Sequence, residues 1–107
     1  MAFSIEIVNQ IIANYVTDVK NVFPVEKAYL YGSYAKGTQN EYSDVDVCFF
    51  LPTFGSKRSV DIVTDLLTIA GQYPDLDIEP RVFRITEIER DNPFVKEILR
   101  TGREIRV

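Results

Sequence analysis

The first part of the chain has apolar side chains at helical spacing. Ser4 is suited to cap a helix N-terminus, and Glu6 is favourable in the first turn. Apolar residues then recur every three or four positions: Ile5, Val8, Ile12, Tyr15, Val16 and Val19. The pattern predicts a helix over about 5–22, which Pro24 closes.

The same spacing returns in the second half of the chain. The apolar positions there are Ile62, Val63, Leu66, Ile69 and Ala70. They predict a helix over 59–70 that ends at Gly71. Asn92-Pro93 begins a further helix, which runs to about Arg100 with proline at its first position, and Gly102 stops it.

Runs of aromatic and aliphatic residues predict β-strands. They cover 27–31, 44–51, 75–83 and a short terminal segment, 103–107. The second run is apolar almost throughout after Asp46, which predicts a central strand. A helical turn at 34–36 and a polar loop at 37–43 connect the first two strands.

In the third strand, alternate residues divide between two faces. Apolar side chains take one face and charged ones the other: Leu76, Ile78 and Val82 against Asp77, Glu79 and Arg81. Because Pro80 has no N–H to donate, this strand should lie at an edge or carry a bulge. Together the elements predict one α+β domain over 1–107, a small mixed sheet with helices packed on it.

Composition excludes several kinds of chemistry. The 107 residues include no histidine, which excludes His-ligated zinc, a histidine general base and a Ser-His-Asp triad. A net charge of −4 argues against tight nucleic-acid binding. The single cysteine, Cys48, fits a reducing compartment. With no signal-peptide pattern at 1–10 and no run that could span a bilayer, we expect a cytoplasmic protein without a membrane segment.

Two aspartates near a glycine-serine turn are the strongest candidates for chemistry. Gly32-Ser33 follows the first strand, whereas Asp44 and Asp46 open the second and share one face. Two carboxylates on one face repel each other unless a cation neutralises them. A glycine-serine turn that opens a helix offers backbone N–H groups to an anion. A divalent cation with a polyphosphate beside it satisfies both requirements.

The segment from Gly32 to Val47 resembles the signature of the polymerase-β-type nucleotidyltransferases. It has the form Gly-Ser-x-Ala-Lys-Gly, a spacer, then Ser-Asp-x-Asp-Val. It is most similar to the smallest members, the minimal nucleotidyltransferase (MNT) domains. It differs once, with Lys36 where arginine is commoner, which keeps the positive charge but loses the bidentate fork. The order of elements fits this polymerase-β-like fold over nearly the whole chain.

The resemblance implies a role for each motif residue. Asp44 and Asp46 would be the ligands of two Mg²⁺ ions that act on a nucleoside triphosphate, expected to be ATP. Gly32 and Ser33 would bind its β- and γ-phosphates. Lys36 either reaches a phosphate or is solvated.

A third carboxylate is usual in the family, on a neighbouring strand. It helps to hold the second metal and can accept the proton of the attacking hydroxyl. Glu79 and Asp77 are both candidates on one face, and an Ile-Glu-Pro segment resembling 78–80 occurs in small members, so we favour Glu79 and keep Asp77 in reserve. Arg81 on the same face would pair with a phosphate or with Glu79.

The resemblance implies Mg²⁺-dependent transfer of a nucleoside monophosphate, AMP from ATP, to an acceptor hydroxyl. In the family, small MNT proteins are typically paired with a HEPN partner protein, act as its antitoxin and can transfer AMP to a tyrosine of the toxin. Two alternatives stay open: an antitoxin that neutralises by binding alone, and an antibiotic nucleotidyltransferase, for which we find no acceptor-binding domain. An incomplete active-site wall and the apolar first helix indicate assembly, with a partner or as a homo-oligomer.

Overall fold

The computed structural model describes residues 4–40 and 43–107. Glu41 and Tyr42 of the predicted loop, and the first three residues of the segment 1–10, lie outside the described residues. The elements follow in this order: α1 Ile5–Lys20, β1 Lys27–Tyr31, α2 Ser33–Lys36, β2 Val45–Leu51, α3 Ser59–Ala70, β3 Ile78–Arg84, a 3₁₀ helix Ile85–Ile88, α4 Pro93–Thr101 and β4 Arg103–Ile105. The order is the predicted one, with the 3₁₀ helix added.

The strands form a four-stranded mixed sheet in the order β3-β2-β1-β4. β2 is central, as predicted, and it pairs parallel with β3 and antiparallel with β1. β4 pairs antiparallel with the other side of β1. Because β3 is an edge strand, it accommodates Pro80 as the sequence predicted. Asp46 on β2 therefore lies between Tyr31 of β1 and Glu79 of β3.

Helices α1 and α3 cover one face of the sheet. The buried side chains of β2 on this face are Val45, Val47, Phe49 and Leu51. They pack with the apolar positions predicted for α1 and with Ile62 and Leu66 of α3. The Tyr15 hydroxyl of α1 donates to the Leu66 carbonyl at 2.9 Å, so a buried hydrogen bond joins the two helices.

Helix α4 covers part of the opposite face. Its Val95 and Ile98 pack with Cys48 and Phe50 of β2, which are fully buried. Asp46, nearer the start of β2, is only half-buried. On this face, β2 is therefore packed at Cys48 and Phe50 and partly open at Asp46, where the acidic residues lie.

Some predicted boundaries are wrong by a few residues. α1 ends at Lys20, earlier than predicted, because the chain tightens into a turn in which the Val22 N–H donates to the Val19 carbonyl, three residues back, at 3.0 Å. β3 begins at Ile78, later than predicted, since a turn occupies the residues before it, and β4 ends at Ile105. The 3₁₀ helix was not predicted because four residues are too few to produce a period. Among the described helices, none combines the length and apolar character needed to cross a membrane.

Candidate active site

The turn after β1 presses the backbone of Gly32 against the Asp46 carboxylate. Gly32 has a φ of +74°, in the left-handed region that favours glycine. A Cβ built at this position would lie 2.2 Å from Asp46 Oδ2. Any side chain here would therefore displace either the turn or the carboxylate, so both the backbone conformation and the contact require glycine.

The sheet register places Glu79 directly beside Asp46. The two residues are opposite each other on the parallel strands β2 and β3, and both side chains alternate onto the face that carries α4. Asp44 lies just before β2 and is exposed. Asp77 lies just before β3, is also exposed, and its carbonyl accepts the Val45 N–H at 2.8 Å. Of the two candidates for a third carboxylate, Glu79 is the one in register with Asp46.

The surroundings of Asp46 raise the pKa of its carboxyl group. Partial burial is the largest cause, and the negative charges of Asp44 and then Glu79 add to it. The positive charge of Arg81 acts in the opposite direction. The three predicted acidic residues are thus close enough to act on one carboxyl group, and a bound cation would relieve their repulsion.

Arg81 is a cation on the same face as these carboxylates. Its guanidinium carbon lies 5.0 Å from the centre of the Phe94 ring, in the first turn of α4. Its charge opposes the rise that burial causes in the pKa values of Tyr31 and Cys48, each raised to about 12. The sequence left the partner of Arg81 open, and in the structure its guanidinium stacks on the Phe94 ring.

Ser33 and Lys36 occupy the first and last positions of the single-turn helix α2. The Gly32 carbonyl accepts the Lys36 N–H at 3.1 Å, and Gly37 ends the turn with a φ of +75°. Ser33 is half-buried next to Gly32, whereas Lys36 is exposed. The fold therefore brings Ser33 to the edge of the acidic cluster and leaves Lys36 solvated, and phosphate binding by either residue stays a prediction.

The acidic residues fit an open magnesium site better than a closed one. Within residues 4–40 and 43–107, no three side chains of His, Cys, Asp or Glu are placed so that together they could hold a metal ion. Mg²⁺ usually binds one or two carboxylates and completes its shell with water and substrate phosphates. Asp44 and Asp46 supply such oxygen ligands, and the Glu79 charge lies beside them. Their assignment as ligands of two metal ions stays a prediction.

A comparison with families of known proteins identifies the domain. A family model described as "Nucleotidyltransferase domain" matches residues 12–104. The chain belongs to this family. The matched region runs from α1 to β4, so it includes the Gly32 turn and the acidic residues of β2 and β3. The resemblance drawn from the segment between Gly32 and Val47 is confirmed.

Solved structures share the fold of this nucleotidyltransferase domain. A Sulfolobus solfataricus protein assigned as a nucleotidyltransferase is 23% identical, with a TM-score of 0.55 over 83% of this chain and 82% of its own. A structure described as a toxin-antitoxin with AMP-PNP is 18% identical, with a TM-score of 0.61 over 86% of this chain and 70% of its own. The search of curated proteins gave no match to this sequence. The predicted α+β nucleotidyltransferase fold is confirmed.

The contact between Arg81 and Phe94 was not predicted from the sequence. Phe94 lies in a helix whose position over β3 depends on the fold, and an aromatic residue in a first helical turn is usually explained by packing. Tyr31 packs against Phe94 with ring centres 5.9 Å apart. A phenylalanine beside Pro93 was the available signal in the sequence, and it is too common to indicate a site.

Proposed function

We propose that this nucleotidyltransferase domain transfers AMP from ATP to an acceptor hydroxyl on a partner protein, using Mg²⁺. The observation that carries the proposal is the position of Asp46, pressed against Gly32 and flanked by the charges of Asp44 and Glu79. A triphosphate with bound magnesium supplies the cation that the carboxylates require. The absence of a Cβ at Gly32 leaves room for the Asp46 carboxylate to approach the backbone of this turn.

In this proposal the chain's own residues bind the nucleotide and move one proton. Asp44, Asp46 and Glu79 would hold two Mg²⁺ ions, which stabilise negative charge on the entering and leaving oxygens. The acceptor oxygen bonds to the α-phosphorus while the bond to the bridging oxygen breaks, and pyrophosphate leaves. Glu79 takes the hydroxyl proton. Gly32 and Ser33 bind the β- and γ-phosphates and so orient the leaving group.

The proposed acceptor belongs to a toxin. The likeness in fold to a toxin-antitoxin structure with AMP-PNP supports both a nucleotide and a toxin as partners of this domain. The family resemblance narrows the toxin to a HEPN-type protein and the acceptor to a tyrosine hydroxyl. The buried thiol of Cys48 suits the reducing cytoplasm, where we place the pair.

Label transfer from α-labelled ATP tests this proposal. The protein is co-expressed with the product of the neighbouring gene, and the purified complex is incubated with label in Mg²⁺ or in EDTA. We expect Mg²⁺-dependent label on the partner, reduced about 100-fold or more by Asp46→Asn, because the metal loses a ligand. A tight complex without label would instead indicate an antitoxin that acts by binding alone. Label on an aminoglycoside would indicate an antibiotic nucleotidyltransferase.

A matched pair of variants tests the third carboxylate. Glu79→Gln removes the proton acceptor proposed beside Asp46, and we expect label transfer to fall about 10²- to 10⁴-fold. Asp77→Asn removes a charge just before the same strand, from a residue that is not opposite Asp46. Its activity should therefore stay within about twofold of wild type. The opposite ranking of the two variants would move the role to Asp77.

A further inference from the structure

Arg81 and Tyr31 lie on either side of the strand that carries Asp46. Tyr31 lies on β1 and Arg81 on β3, the two neighbours of β2. In the register, Asp46 is opposite Tyr31, and Cys48 is opposite Arg81. Arg81 is therefore the diagonal neighbour of Asp46 on the same face of the sheet, a separation that a long side chain can span.

Phe94 holds the Arg81 guanidinium from above. The Phe94 ring contacts Tyr31, with centres 5.9 Å apart, and Phe83, with centres 5.8 Å apart, and Arg81 lies over its face at 5.0 Å. An arginine stacked on a ring loses little further freedom when it acts on a neighbour, because its planar group is already oriented. Although Arg81 is exposed, its charged group is therefore held by the Phe94 ring, which itself packs on Tyr31 and Phe83.

The Asp46 carboxylate is confined on two sides. One oxygen faces the backbone of Gly32, so closely that no side chain fits at that position. On the β3 side lie Glu79, which repels the carboxylate, and Arg81, which attracts it. Without Arg81, the charges of Asp44 and Glu79 would act on Asp46 without opposition from this face.

We propose that Arg81 is a positioning residue of this site: held on the Phe94 ring, it keeps the Asp46 carboxylate in its slot beside Gly32 before a metal ion arrives. The inference rests on the proposed function in one respect, which is that Asp46 is a metal ligand. Through Phe94 and Arg81, helix α4 would therefore influence the geometry of the site, although α4 contributes none of its acidic residues.

Binding of Mn²⁺ alone, followed by the electron paramagnetic resonance signal of the free ion, tests the charge of Arg81. Arg81→Met removes a cation beside the carboxylates, so Mn²⁺ should bind about two- to fivefold more tightly. Binding of α,β-methylene-ATP in saturating Mn²⁺ should become about tenfold weaker, because a displaced Asp46 carboxylate can still bind the free ion but no longer holds it where the triphosphate meets the Gly32 turn. The two shifts have opposite signs, whereas a variant that is merely misfolded would bind both ligands more weakly.

Further variants separate charge from stacking. Arg81→Lys keeps the charge but not the planar stack, so Mn²⁺ affinity should match wild type and affinity for the analogue should be partly restored. Phe94→Leu should leave Mn²⁺ affinity unchanged and weaken analogue binding about threefold, because Arg81 loses its support. These two variants carry the test if Arg81→Met does not fold.

Arg84→Met is the matched control. Arg84 lies on the same strand and also stacks on a phenylalanine, with its guanidinium carbon 4.1 Å from the centre of the Phe54 ring. It lies at the far end of β3 from the residue opposite Asp46, so neither affinity should change. Equal effects of Arg84→Met and Arg81→Met, or unchanged or weaker Mn²⁺ binding in Arg81→Met, would overturn the inference.

The outcomes also separate this inference from the proposed function. A wild-type protein that binds Mn²⁺ but not the analogue would contradict the proposed function, while tighter Mn²⁺ binding by Arg81→Met would still support the placement of Arg81. A wild-type protein that binds both, with an Arg81→Met variant that does the same, would contradict the role of Arg81 alone.

Discussion

Gly32 and Gly37 flank helix α2 with nearly the same backbone conformation but different surroundings. Their φ angles are +74° and +75°. A Cβ at Gly32 would meet the Asp46 carboxylate, whereas a Cβ at Gly37 would have nothing within 4 Å. The two glycines therefore separate the cost of a left-handed residue from the cost of disturbing the site.

Alanine at each glycine gives a prediction at this scale. Gly37→Ala should lower the free energy of unfolding by about 1–2 kcal/mol and leave Mn²⁺ binding intact, because only the backbone is strained. Gly32→Ala should lower it by about 2–4 kcal/mol, since a steric clash adds to the same strain, and should abolish Mn²⁺ binding. Urea unfolding and Mn²⁺ titration measure both effects. Equal Mn²⁺ affinity in the two variants would contradict the importance of the Gly32–Asp46 contact.

Asp46 should destabilise the metal-free protein at neutral pH. Its folded-state pKa is raised by burial and then by Asp44 and Glu79, so folding favours its protonated form. Its contribution to stability is full below the unfolded-state pKa of about 4 and is lost as the pH rises through the raised folded-state pKa.

Asp46→Asn tests this expectation in EDTA. At pH 7 the variant should exceed wild type in free energy of unfolding by a few tenths to about 1 kcal/mol, because a repelling charge is gone. The difference should shrink towards pH 4, because the wild-type carboxyl group takes up a proton as the pH falls through its raised folded-state pKa. Urea unfolding at both pH values measures it. A variant less stable than wild type at pH 7 would be evidence against the repulsion.

At the scale of elements, the local sequence was sufficient to predict the bounds of a helix or strand where both of its ends carry a signal. The predicted strand 27–31 and helix 59–70 have the observed bounds, because a turn or a glycine follows each. The start of α4 was predicted from Asn92-Pro93, and the Asn92 side chain accepts the Phe94 and Val95 N–H groups at 3.0 and 3.2 Å. The place where α4 packs was not predictable, since it depends on contacts between distant parts of the chain.

The cap of α4 provides a prediction for an element. Asn92→Ala leaves two N–H groups of the first turn without this acceptor, so the free energy of unfolding should fall by about 1 kcal/mol. Asn92→Asp keeps an acceptor and should stay close to wild type. Urea unfolding gives the cost, and hydrogen exchange of the Phe94 amide shows whether the first turn frays. Identical exchange in the alanine variant and wild type would contradict a capping role.

For the whole molecule, the signature between Gly32 and Val47 predicted where the first two acidic residues lie. It did not predict which residue of the neighbouring strand the sheet places beside them. The choice between Glu79 and Asp77 was left open because one sequence does not fix the register of a parallel pair. The fold sets Asp46 opposite Glu79 and carries Phe94 over Arg81, two juxtapositions made by residues far apart in the chain. The periodicity of the sequence predicted which face of the sheet each side chain lies on, but only tertiary packing determines which side chains are neighbours.

A crystal structure of the protein with Mg²⁺ and α,β-methylene-ATP tests the central claim most directly. We predict magnesium about 2.1 Å from oxygens of Asp44 and Asp46, with the triphosphate against Gly32 and Ser33. Glu79 should lie at the second metal position or beside the α-phosphate. Magnesium or triphosphate bound elsewhere, or no occupancy at this corner at saturating concentrations, would contradict the account.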